Sequence, residues 1–178
     1  MKSILILLGI VLSLISCDSK PSLQKYLVDK EDKKEFITAS LSGNLIFQNL
    51  DSLSVQGKSS LDKIEKINVL ALTKSKGDSI MESERTMLSS ILQTGNYKAL
   101  MNVNSAGRQV NFVFSGEEDA IDELIFFGYD SDMGMLLLRM RGDQIGANDL
   151  FEYTKIAQNM DAENISDLSG FIPNSKLQ

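Results

Sequence analysis

Residues 108–141 read RQVNFVFSGEEDAIDELIFFGYDSDMGMLLLRMR. Three runs rich in β-branched, aromatic and aliphatic residues are separated by Gly116-Glu117-Glu118-Asp119 and by Asp130-Ser131-Asp132-Met133-Gly134, both dense in turn formers. A further run at 99–104 precedes them and ends in Ser105-Ala106-Gly107. Links this short join antiparallel neighbours only, because a parallel crossover needs a dozen residues or more. The stretch therefore predicts a four-strand antiparallel meander over 99–104, 108–115, 121–129 and 135–141. Phe112, Phe114, Ile125, Phe127, Leu136 and Leu138 are expected to feed its core.

Working outward, residues 67–73, INVLALT, are apolar on both faces apart from Asn68, as an interior strand would be. Gly77-Asp78-Ser79 is expected to cap a helix whose inner stripe is Ile80, Glu84, Met87, Leu88, Ile91 and Leu92, with Gly95 as its stop. Ile37, Ala39 and Leu41 alternate with Thr38 and Ser40, as in a half-buried strand. Ser22 suits a helix N-cap ahead of Leu23, Tyr26 and Leu27, and the mixed charges of 29–35 suit a solvated face. Residues 44–53 predict a short helix through Leu45, Phe47 and Leu50, and Gly57-Lys58-Ser59-Ser60 is expected to interrupt regular structure. A last helix is expected over 147–160, with Leu150, Tyr153, Ile156 and Ala157 on one side. The class expected is α+β: a mostly antiparallel sheet, the four-strand C-terminal meander plus one or two earlier strands, with helices packed on one face.

The chain opens with one basic residue, Lys2, followed by an apolar run over 4–15 that is too short for a membrane-spanning helix of about twenty residues. A charged start, an apolar core and a small residue before a cut make a secretory signal. Leu14-Ile15-Ser16-Cys17 resembles the lipobox of bacterial lipoproteins at every position. The resemblance implies cleavage between Ser16 and Cys17, with Cys17 as the acylated first residue of the mature chain. A lone cysteine in an exported protein calls for an explanation, and lipidation supplies one. One acyl chain binds a bilayer reversibly, whereas two or more hold it stably. The expected division is a signal peptide over 1–16, a lipidated tether over 17–21, one α+β domain over 22–160 and a polar tail over 161–178.

Loss of residues 1–16 leaves 162 residues, enough for one domain, with 17 basic and 24 acidic side chains and a net charge of −7. An acidic surface of this kind excludes nucleic acid as a partner, because such binding depends on neutralising phosphates. It also disfavours adhesion to anionic headgroups, leaving attachment to the acyl chains.

The segments KINVLAL, YKALMNVNSAGRQVNFVF and DELIFFGYDSDMGMLLLRMRGDQIGANDL, in this order behind a lipoprotein signal, resemble a bacterial family known as domain of unknown function 4252. They cover about the last two-thirds of the chain. The resemblance implies a small envelope lipoprotein of certain Gram-negative bacteria, without an assigned activity and without functional residues to carry over.

The chain has no histidine, which removes Ser-His-Asp and Cys-His catalysis and most zinc sites. Ser22-Leu23-Gln24-Lys25 matches the S-x-x-K spacing of serine-lysine enzymes but lacks the companion S-D-N and K-T-G motifs, so a helix cap is the plainer reading. Asp130-Ser131-Asp132-Met133-Gly134 resembles the start of a calcium loop, yet its glycine arrives one residue early and a hydrophobic run follows; a hairpin turn accounts for it better. Glu117-Glu118-Asp119 with Asp122-Glu123 could perform acid-base work or hold a cation, against the simpler reading of a solvated loop. Asp51-Ser52-Leu53 and Asp78-Ser79-Ile80 resemble O-glycan acceptors, although Asp78 and Ser79 also suit helix caps. Met133, Met135 and Met140 could line an adaptable binding surface or a strand core.

The function expected is therefore a non-catalytic, lipid-anchored module of the cell envelope, with no catalytic residues, cofactor or metal. It would sit in the cell envelope, on the outer membrane before any other, facing either the periplasm or the cell surface, and bind an envelope protein or a small ligand. A hydrolase or transferase using Ser, Lys or carboxylates, and a structural subunit of an envelope complex, are the alternatives.

Overall fold

The computed structural model describes residues 22–43 and 53–159. Ser16, Cys17, the tether, most of the helix expected over 44–53, Asp51-Ser52 and the tail lie outside the described residues. Ser22 opens helix α1 (Leu23–Glu31), its side chain accepting the Lys25 N–H at 3.2 Å. Strand β1 (Ile37–Ser42), helix α2 (Val55–Asp62), strand β2 (Ile64–Thr73) and helix α3 (Lys74–Thr94) follow. The meander is β3 (Lys98–Ser105), β4 (Arg108–Glu117), β5 (Ala120–Asp130) and β6 (Gly134–Ile145), and α4 (Ala147–Asn159) closes the described chain.

The sheet is fully antiparallel, in the order β1-β2-β6-β5-β4-β3. Its four meander strands and the two earlier ones match the α+β expectation. The β1–β2 pair joins the meander through β6, so β1 and β3 form the two edges.

The helices lie on both faces of the sheet, not on one. Leu23 and Tyr26 of α1 and Met81, Leu88, Ile91 and Leu92 of α3 pack on Leu70, Leu72, Val113, Ile125, Phe127, Met135 and Leu137. Alternation along each strand turns Phe114, Leu124 and Met140 to the opposite face. There Leu61, Leu150 and Tyr153 meet them, which brings α2 and α4 over one end of that face. Each large apolar side chain taken fully out of water contributes about 1.5–3 kcal/mol, so the main core under α1 and α3 dominates.

Three local expectations are corrected. Gly57-Lys58-Ser59-Ser60 does not interrupt the chain; it lies inside α2, where Ser54 caps the helix by accepting the Gly57 N–H at 3.0 Å and Ser60 is buried against α4. Tertiary contact here outweighs the weak helix propensity of glycine and serine. The long helix begins at Lys74, a turn before the expected cap, and breaks locally at Gly77 (φ −132°, ψ 19°). A Cβ on Gly77 would overlap the Leu72 side chain, so only glycine lets α3 sit this close to β2. Finally, Met135 and Leu137 are buried beneath the helices, while Leu136 and Leu138 point to the opposite face. Phe112 and Phe114 also face that way, and Met87 is exposed, while Met81 joins the buried stripe of α3.

Candidate functional site

Strand register places two apolar rows side by side on the face opposite α1 and α3. One runs Ala39, Val69, Leu138, Phe126, Phe112, Met101 across all six strands. Its neighbour runs Ile37, Ala71, Leu136, Gly128, Val110, Val103. Neither row contains a polar side chain. The next row, Ile67, Met140, Leu124 and Phe114, is the one that α2 and α4 cover. In the first two, Met101, Val103 and Leu136 are exposed at 46%, 47% and 37%, and the other side chains are half-buried.

Strands about 4.8 Å apart make each row about 24 Å long, and together the rows cover roughly 300–400 Å². This is the size at which the largest apolar patch of a soluble protein is often functional. Such a surface excludes water from an apolar partner and offers no group for bond-making chemistry. The clue in the sequence was the run Met135-Leu136-Leu137-Leu138, apolar at every position in a strand that has only one main core to fill.

The structure disperses the residues singled out for chemistry. The Ser22 hydroxyl is engaged as the α1 cap. Asp130 Oδ1 accepts the N–H groups of Asp132 and Met133 at 2.8 and 3.2 Å, and Oδ2 accepts Arg108 Nε at 2.7 Å, so the segment is the β5–β6 turn. The Asp132 N–H first, then Arg108, hold the Asp130 carboxyl below the usual carboxylate range. The acidic cluster divides: Glu117 pairs with Lys98 at 3.2 Å on the surface, while Glu123 turns inward. Asp78 and Ser79 are exposed on α3 just past its break. Met133 is exposed at the turn, Met135 is in the main core and Met140 lies under α2 and α4, so the three methionines share no surface. Among the described residues, no group of three or more acidic, histidine or cysteine side chains is placed to hold a metal ion.

Three buried polar clusters were not foreseen. Arg139 on β6 pairs with Glu123 on β5 and donates to Gln24 of α1, and Glu123 also lines an open cleft of about 540 Å³ bordered by Ser22, Thr94, Tyr97 and Ser115. Burial and the Glu123 carboxylate push the Tyr97 phenol up to about 12. Glu84 of α3 receives the Tyr26 hydroxyl at 2.8 Å and pairs with Lys30, which also stands 5.1 Å and 5.2 Å from the Tyr26 and Phe36 ring centres. Asp149 accepts Ser60 Oγ at 2.7 Å, Lys63 Nζ at 2.6 Å and the Gly146 N–H at 2.8 Å, fastening α2 to α4. Burial opposes its ionisation, but those hydrogen bonds prevail and keep Asp149 below the usual carboxylate range. Among the described residues every buried side-chain nitrogen and oxygen has a hydrogen-bond partner. These clusters fasten elements together.

Among the described residues no helix is long and apolar enough to cross a membrane. No curated protein and no solved structure matches the chain. One family model does, over residues 26–153, from α1 through most of α4 and including every strand. The chain therefore belongs to the family described as Domain of unknown function (DUF4252).

Proposed function

We propose that the chain is a lipid-anchored protein of the cell envelope that acts by binding rather than by catalysis. Its binding surface is the pair of apolar rows, and its partner is another envelope protein presenting an apolar surface of matching size. The pair of rows that no described helix covers carries this reading: twelve aligned positions with no polar side chain, next to a row that the chain's own helices use for packing. The lipobox-like Leu14-Ile15-Ser16-Cys17 supports acyl attachment at Cys17, and the lack of histidine supports a role without acid-base chemistry.

Crosslinking and capture of the full chain from native membranes tests the proposal. Leu136→Lys puts a charge in the middle of the surface at an already exposed position, and is expected to reduce the captured partner at least tenfold with circular dichroism unchanged. Equal capture by wild type and variant would refute the sheet face as the binding surface. In the same preparations Cys17→Ser is expected to move the protein to the soluble fraction; persistent sedimentation with membranes would refute the anchor.

A further inference from the structure

We infer that β3 is an interface for a second copy of this chain, joined edge to edge so that two six-stranded sheets become one. The inference deepens the reading above, because the binding rows then continue from one copy into the next. All eight residues of β3 are exposed, and its ladder is satisfied only on the side of β4. Natural sheets protect such edges with charges, prolines, bulges or covering elements. On β3 the protection is confined to one end, where Lys98 and a register irregularity between Ala99 and Met101 occur. Met101 to Ser105 is then regular, uncharged and free of proline. The other edge differs, since α1 packs beside β1 and forms a groove with Thr38 and Ser40.

The strand is also complementary to itself. A twofold axis through Asn102 sets Met101 against Val103 of the second copy and Val103 against its Met101, so apolar side chains meet on the face of the two rows. On the other face Asn102 meets Asn102; each Oδ1 already accepts from Asn111 Nδ2 of its own chain, which leaves the Nδ2 group to donate across the pair and the second lone pair of Oδ1 to accept. Lys98 falls opposite Ala106, and no like charges face each other. The axis of an antiparallel pair stands normal to the sheet, so both copies keep their apolar rows on one side and their α1 helices on the other. Ser22 follows Cys17 by only a few residues, so two anchors can reach one membrane from the α1 side while the joined rows face away. Confinement to a membrane raises the effective concentration of such a weak contact.

Introduced cysteines test this in the full chain in native membranes. In the dimer the Cα atoms of the two Asn102 residues lie about 4.5–5.5 Å apart, within disulfide reach, whereas those of the two Asn104 residues lie about 14 Å apart. Under mild oxidation Asn102→Cys is expected to give a disulfide-linked dimer of this chain, and Asn104→Cys is not. No dimer at either position, equal dimer at both, or a disulfide to a different protein would overturn the inference. Adding Met101→Asp and Val103→Asp to Asn102→Cys brings like charges together and is expected to abolish the dimer with the fold intact by circular dichroism; a surviving dimer also overturns it. Leu136 lies three strands away, so Leu136→Lys is expected to leave the Asn102 crosslink unchanged, which separates loss of this interface from loss of the partner surface.

Discussion

Arg139 shows how a single side chain can decide which way a strand faces. In residues 135–138 either parity of β6 would bury two large apolar side chains, so hydrophobicity alone does not fix its register. Arg139 breaks the tie. It points to the helix-covered side, where Glu123 and Gln24 hold its guanidinium. On the other parity Arg139 would lie among the apolar rows with no counter-ion. Removing one member of a buried pair strands the other charge, at a cost of about 3–5 kcal/mol, whereas replacing both with apolar residues can be neutral. Glu123→Leu is expected to lower the unfolding free energy by about 3 kcal/mol, and Glu123→Leu with Arg139→Leu to recover most of it; urea denaturation measures both. A double variant no better than the single would show that the pair contributes by more than mutual neutralisation.

At the scale of elements, Gly77 is where α3 and β2 come closest. Any side chain there displaces Leu72, which is fully buried, and overpacking of this kind costs about 1–3 kcal/mol. Gly77→Ala is expected to lower the melting temperature by several degrees, whereas Ser79→Ala, exposed two residues further on, should leave it nearly unchanged; thermal denaturation compares them. The meander was legible from its turns, because Gly107, Gly116 and Gly134 all adopt positive φ at or beside the junctions between strands of the right length. The existence of α4 and the interior character of β2 were legible from their patterns too. The second helical layer was not, since α2 is built from VQGKSSLD, whose helix depends on the Ser54 cap and on contact with α4. The apolar rows escaped for a related reason: cross-strand register is set by pairing between distant segments, which no local window contains. Glu123 was hidden among acidic neighbours, and only strand alternation separates it from Asp122.

For the whole molecule, the order of strands makes β6 the element that unites the sheet. β2 pairs with it from Ile64 to Thr73, and β5 flanks its other side. Without β6, the β1–β2 ribbon and the β3–β5 ribbon share no ladder. A chain ended at Asp132 is expected to lose the cooperative thermal transition of the full chain, with circular dichroism as the measure; a retained sharp transition would show that the helices alone can unite the halves. Placing the central ladder so late in the sequence bears on timing. Leu70 must wait for Leu137, so a chain emerging N-terminus first carries an unfinished hairpin with greasy sides until residue 137 of 178 has been delivered. Interruption before the last strand would leave one chain carrying two sticky ribbons without the ladder that joins them, instead of one shorter protein.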